Sequence, residues 1–270
     1  MQSGLRNERR MAFGLGRLHH VWSRQRRERI VMRAIDAGFS HLDVAPAYGD
    51  GLCESEVGRI LGARRHTVTI ATKFGIPCSS WGAKNELVYY ARKIAGRLFS
   101  STYGIEYTSR DFSASTAVAS LEASLRRLRS DYVDYFFVHE PLGLDDLTAA
   151  GGLIDALEDQ KRRGKILHYG LAAPTPLLIE AQRAGLEIGD ATQFELSSRS
   201  TELLAAPRPN HSWFSYGIVR HLGGGDSNRR LEPLESLRWF FSNFPAVVPI
   251  MATNREGELS RLERAIMALH

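Results

Sequence analysis

Short apolar, β-branched runs alternate with amphipathic helical segments about eight times along this chain, with no break in composition between them. FSHLDVA (39–45) alternates as a strand, TVTIATKF (67–74) is β-branched, and YVDYFFVH (132–139) is apolar almost throughout. A continuous apolar run of that length suits a parallel strand buried on both faces. Between the first two strand-like runs, VWSRQRRERIVMRAIDAG places Ile30, Val31, Ala34 and Ile35 on one helical face and stops at Gly38. MAFGLGRL reads as strand one, and KILHYGLA, DATQFEL, SWFSYGIV and AVVPIMA as strands five to eight. Regular alternation implies parallel strands joined by right-handed helical crossovers. Eight units in 270 residues match a (β/α)₈ TIM barrel, an α/β fold of roughly 250 residues, here one domain over 1–270. The rival is a doubly wound sheet, which carries a glycine-rich turn directly between its first strand and helix. Here GLG (14–16) lies inside the first strand and is followed by His19-His20, a poor match.

Two stretches break the rhythm. Residues 75–112 separate strand three from its helix, far beyond the usual loop of 2–6 residues, and ELVYYARKIAG within them predicts an extra helix. LGGGDSNRR (222–230) is glycine-rich and polar. Both should project from the C-terminal ends of the strands, where barrel enzymes build their sites. Trp81, Tyr89, Tyr90 and Phe99 in the first stretch, and Trp22 after strand one, are candidates either for a substrate-pocket wall or for packing the insert onto the barrel.

Composition narrows the function classes. The chain is 43% hydrophobic and 24% charged, ordinary for a globular protein. Its longest apolar runs, such as VVPIMA, are far short of the ~20 residues a membrane helix needs. No charged-then-apolar leader is visible, so a cytoplasmic location is expected. Cys53 and Cys78 are too few for a disulfide scaffold and read as inert thiols; His19, His20, His168 and His211 lack metal-ligand spacing. The net charge of +5 is mostly arginine in helical runs such as RQRRER (24–29) and RRLR (126–129). Such runs read as solvated helix faces, and no aromatic-interleaved basic stretch points to nucleic acid. The basicity also suits a small molecule carrying phosphate.

The chemistry gathers at one rim. Asp43 lies near the end of strand two, Tyr48 five residues on, Lys73 ends strand three and His139 ends strand four. Singly, Asp43 can cap a loop, Tyr48 can be a packing aromatic and His139 a satisfied core histidine. Lys73 is harder to dismiss, because an ammonium in a barrel mouth pays desolvation unless a carboxylate balances it. Together they suggest a general-acid site for carbonyl reduction: a tyrosine whose pKa a nearby ammonium lowers, and a histidine that hydrogen-bonds the substrate oxygen. The hydride comes from elsewhere.

These segments resemble the aldo-keto reductase family. GFSHLDVAPAYGDGLCESEVGRIL (38–61) is similar to its Asp-x-Ala-x-x-Tyr-Gly signature and the Glu-x-x-x-Gly-x-x-Leu that follows. ATKFG, SLEASLRRLRSDYVDYFFVHEP and ALEDQKRRGKILHYGLA match, in order, its lysine, histidine and strand-five segments. The resemblance implies a TIM barrel, NADPH (NADP) or NADH (NAD) as cofactor without metal or flavin, and reversible reduction of aldehydes and ketones. It implies Tyr48 as general acid, Asp43 and Lys73 tuning it, and His139 orienting the carbonyl. RDFSAS resembles the sugar-dehydrogenase-like branch, which implies a sugar-like substrate. For the cofactor it implies Gln193 on the carboxamide, Phe214 and Ser215 at the nicotinamide, Thr253, Asn254 and Arg255 at the phosphate, and Gly16 beside them. This sequence departs at Ala172 and Ala173, where many members carry a Ser-Asn pair for the carboxamide. That loss keeps a second reading open, a weakened barrel serving as a binding or regulatory subunit. A third is a Schiff-base aldolase with Lys73 as nucleophile.

Overall fold

The strand-like runs pair in chain order and close on themselves. The structure is a computed structural model that describes residues 10–99, 110–148, 151–206, 208–222 and 232–269. Its strands are β1 (Ala12–Gly14), β2 (His41–Asp43), β3 (Thr69–Phe74), β4 (Val133–His139), β5 (Ile166–Ala173), β6 (Ala191–Glu195), β7 (Ser212–Tyr216) and β8 (Val247–Met251). Each pairs in parallel with the next, and β1 returns to β8 with Ala12 opposite Ile250. The result is the expected (β/α)₈ barrel. No helix among the described residues is long and apolar enough to cross a membrane.

Strand periodicity sorts the core into two layers. Phe136 and Val138 of β4 face the surrounding helices, in a large cluster with residues such as Ile30, Leu121, Leu157, Phe194 and Phe240. Phe137 faces the lumen with Ala12, Ala71, Ala172, Ala191, Phe214 and Ile250. Burial on both sides is why β4 reads as continuously apolar. Four alanines in that lumen layer leave room for its two phenylalanine rings, 6.1 Å apart.

The helices follow their sequence signals, with two differences. Ser23 caps Arg24–Asp36 by accepting from the Arg26 amide at 3.3 Å, and Ser113 caps Ala114–Leu128 in the same way from Thr116. The run SEVGRILG (55–62) predicts a short helix from Ser55; it begins earlier, at Leu52, because Gly51 takes a left-handed conformation (φ 87°) and turns the chain into it. Strand seven stops at Tyr216 rather than running through Val219: Gly217 (φ 83°) breaks it, and Ile218–Leu222 is a short helix. In the insert, Trp81–Lys84 and Glu86–Phe99 are helical. Most of the glycine-rich stretch at 222–230 lies outside the described residues.

Arg27 ties the insert to the barrel. Its guanidinium is fully buried and donates to the Val21 carbonyl (2.7 Å), the Trp22 carbonyl (3.1 Å), Glu56 (2.9 Å), Tyr90 (3.1 Å) and Glu86 (2.5 Å). Tyr90 stacks on Trp22 at 4.9 Å and donates toward the Val21 and His19 carbonyls. Of the aromatic candidates, these two pack the insert onto the loop after β1, as does Tyr89, edge-on to His19 at 6.5 Å. The side chains of Trp81 and Phe99 lie outside the described residues.

Candidate active site

Alternation decides which side chains enter the lumen. In β2 the residues His41 and Asp43 point inward, in β3 Ala71 and Lys73, in β4 Tyr135, Phe137 and His139. The last inward position of each strand therefore lies at the C-terminal rim, and there stand Asp43, Lys73 and His139. Lys73 is 1% exposed; its Nζ donates to Asp43 Oδ1 at 2.7 Å and to the Val44 carbonyl at 2.9 Å. A buried ammonium with two such acceptors is oriented, not merely tolerated.

Tyr48 reaches the same place from a loop. A turn closes behind it, with the Tyr48 amide on the Ala45 carbonyl and the Gly51 amide on the Pro46 carbonyl. Gly49 follows at φ 67°, where a Cβ would lie 2.4 Å from that of His19, so this turn needs glycine. Asp50 then accepts from the Ser79 amide (2.8 Å), the Ser79 hydroxyl (2.6 Å) and the Ser80 amide (3.1 Å). The insert thus grips the loop that carries Tyr48. The Tyr48 ring has Lys73 Nζ 5.0 Å from its centroid and His139 edge-on at 6.0 Å.

Electrostatics set the protonation states. Burial, followed by the charges of Asp43 and Glu140, holds the Tyr48 phenol well above its ordinary range. The expected lowering by the ammonium does not prevail, because burial raises the phenol first and Asp43, 2.7 Å from Lys73, adds to that rise. Tyr48 rests protonated, the form a proton donor needs. Burial, then Lys73 and Arg110, push His139 well below the usual histidine range, so its imidazole is neutral near pH 7. A neutral imidazole has one N–H to donate. Burial pushes the Cys53 thiol up to about 12 and that of Cys78 to about 11, which leaves both as thiols.

These groups open on a pocket of about 460 Å³. Asp43, Tyr48, Lys73, His139, Gln193 and Gly16 all line it, the last packed flat against the Tyr48 ring. Gln193 is 4% exposed and its Oε1 has no hydrogen-bond partner among the described residues. Opposite it in register stands Ala172, also on the pocket, while Ala173 faces the helices. Phe214 and Ser215 do not line the pocket. Phe214 lies a layer deeper in the lumen, and Ser215 faces outward, fully buried. The pocket residue of β7 is Tyr216, which strand counting identifies: 212, 214 and 216 share the inner face, and only the last is at the rim. Glu140 and Arg17, on loops, and Arg220, on the short helix after β7, also border the pocket, at places no strand periodicity marks.

Thr253, Asn254 and Arg255 sit beyond the pocket, past Met251 and Ala252, which line it. The Arg255 amide donates to Thr253 Oγ1 at 3.1 Å, and Arg255 precedes the helix Glu256–Met267. Asn254 and Arg255 border a neighbouring cleft of about 430 Å³ with His20, Val21, Trp22 and Arg26. The loop after β1 lines both spaces through Gly16 and Arg17 on one side and His20 to Ser23 on the other.

The Aldo/keto reductase family pattern matches residues 10–189. An oxidoreductase of Bacillus subtilis, YqkF, is 27% identical over 190 residues, covering 70% of this chain and 54% of its own. An Escherichia coli protein named L-glyceraldehyde 3-phosphate reductase is 29% identical over 189 residues, 65% of this chain and 44% of its own. This chain spans about half the length of these curated relatives. An aldo-keto reductase structure from Pseudomonas aeruginosa superposes with a TM-score of 0.70 at 21% identity, over 96% of this chain and 90% of that one. One from Klebsiella pneumoniae in complex with NADPH gives 0.63 at 20%, over 95% and 85%. At these identities the structural likenesses show the fold.

Proposed function

Because this chain belongs to the aldo/keto reductase family, we propose that it reversibly reduces the carbonyl of a small aldehyde or ketone to the alcohol, with NADPH as the reductant. The observation that carries this reading is the buried Asp43–Lys73 pair set beside Tyr48 and His139 at one pocket. Bound there, the reduced nicotinamide supplies a hydride to the carbonyl carbon. The chain's own residues do the rest. Tyr48 gives its phenolic proton to the carbonyl oxygen as charge develops on it, and the Lys73 ammonium near the ring stabilises the phenolate left behind. Asp43 fixes that ammonium. His139 donates its N–H to the same oxygen and so orients the carbonyl.

The residues present fit the cofactor. Gln193 Oε1 is an unsatisfied buried acceptor suited to a carboxamide N–H, and Tyr216 offers a ring at the place first assigned to Phe214. Ala172 cannot contribute a polar bond, so Gln193 carries the carboxamide alone. Thr253, Asn254 and Arg255, at the start of a helix, suit the phosphate end. A sugar-like hydroxyaldehyde is the substrate class favoured here. The RDFSAS segment and the name of the Escherichia coli relative support it, and the exposed Arg17 on the pocket suits an anionic substituent. Titrating the protein with NADPH and NADH while following intrinsic fluorescence tests the cofactor. Saturable quenching, tighter for NADPH, is expected; no binding of either would favour the regulatory-subunit reading.

A further inference from the structure

A second cavity among the described residues is larger than the one at Tyr48 and Lys73. At the opposite end of the barrel, where β2, β3, β4, β7 and β8 begin, lies a space of about 1090 Å³. It shares no lining residue with the catalytic pocket. The lumen layer containing Phe137 and Ala191 separates them.

Its inner wall is aromatic. His41 stacks on Phe214 with ring centroids 4.7 Å apart, and Tyr135 stands edge-on to both, at 5.4 Å and 4.9 Å. His41 is 4% exposed; it spends Nδ1 on Thr69 Oγ1 at 2.7 Å, and its Nε2 has no partner among the described residues. Burial holds this imidazole down to about 3, so it adds no charge. The rim is cationic. Arg10 and Arg238 are exposed there, and neither has an ion-pair partner among the described residues. The carboxylate on the lining, Asp134, is already committed to Arg65 and to the Ile70 amide, both at 2.8 Å. Among the described lining residues the unbalanced charge is therefore positive, and the buried surface beneath it is aromatic.

We infer that this cavity is a second ligand site, for a small aromatic carboxylate whose ring rests against the wall formed by His41, Tyr135 and Phe214 and whose anionic group meets Arg10 and Arg238. Rings favour stacked and edge-on packing of this kind, and arginine pairs with carboxylates through parallel donors. The site is independent of the catalytic reading and stands or falls separately from it.

The test is calorimetric titration of naphthoate into the full chain, first without and then with added NADPH, with naphthol as the uncharged control. Naphthoate should bind saturably and more tightly than naphthol. Arg238→Ala, an exposed substitution that leaves the fold intact, should weaken it by about tenfold, as expected for loss of a charge-assisted hydrogen bond. His41→Leu should weaken both probes, and Tyr48→Phe neither. No saturable binding, an affinity unchanged by Arg238→Ala, or displacement of naphthoate by added NADPH would each overturn the proposal.

Discussion

The two walls of the catalytic pocket are built on opposite plans. On the wall from β2 to β4, Lys73 Nζ meets both Asp43 and the Val44 carbonyl, and the loop bearing Tyr48 is held through Asp50. On the wall from β5 to β8, Gln193 Oε1 has no partner among the described residues, and Ala172 presents a methyl group. Protein–protein bonds fix the first wall before anything binds. The second keeps a buried polar atom without a protein partner among the described residues. Preorganised donors favour chemistry, because they need no reorganisation as charge develops. An unsatisfied buried acceptor favours binding, because its desolvation cost is already met in the free protein.

Breaking the first wall should cost most. Lys73→Met leaves Asp43 buried without its ion pair, a loss of roughly 3–5 kcal/mol for a buried pair. Thermal unfolding should occur at a clearly lower temperature, and carbonyl reduction should fall by about 10²-fold or more. Unchanged unfolding would mean that Asp43 had found another partner and the wall is less rigid than drawn.

The second wall should respond in affinity, not stability. Gln193→Leu removes no protein hydrogen bond made by Oε1, so the unfolding temperature should hardly move, while NADPH binding weakens by roughly tenfold. Equal loss of stability and affinity would erase the contrast between the walls.

Acid should sharpen the picture on the fold as a whole. His41 and His19 are held down to about 3 and His211 to about 4, chiefly by burial, and His139 is depressed as well. The unfolded chain takes up protons on these groups near pH 6.5, while the folded chain does not. Their contribution is complete above about pH 6.5, and stability should fall as the pH drops from there toward 4. Denaturant titrations across that range check the slope; a flat profile would place the imidazoles in contact with water. The smallest effect is expected at Arg255. Arg255→Ala should weaken NADPH by a few-fold and NADH less, if the guanidinium meets the additional phosphate; equal changes would remove it from that role.

What was legible in the sequence follows the same division. The barrel was readable because β4 is buried on both faces and therefore continuously apolar, and because Gly38 and Gly164 end helices where the pattern stops. Asp43, Lys73 and His139 were readable as rim residues because each ends a strand on its inner face. Two-residue counting along SWFSY separates Tyr216 at the rim from Phe214 in the layer below, a distinction the family resemblance does not make. Other features were not local. The Arg27 network joins residues 29 to 63 positions apart, and no spacing announces it. The raised pKa of Tyr48 depends on burial and on Glu140, whose proximity only the folded loops create.

The central claim is that Tyr48 is the proton donor of a carbonyl reductase. Tyr48→Phe removes one oxygen and keeps the ring's packing against Gly16 and His139. The measurement is kcat for NADPH-dependent reduction of a small hydroxyaldehyde, together with the NADPH dissociation constant of the same variant. The account predicts a fall in kcat of about 10²–10⁴-fold with cofactor affinity nearly unchanged. A folded Tyr48→Phe protein that binds NADPH and reduces the aldehyde within a few-fold of the parent rate would contradict it.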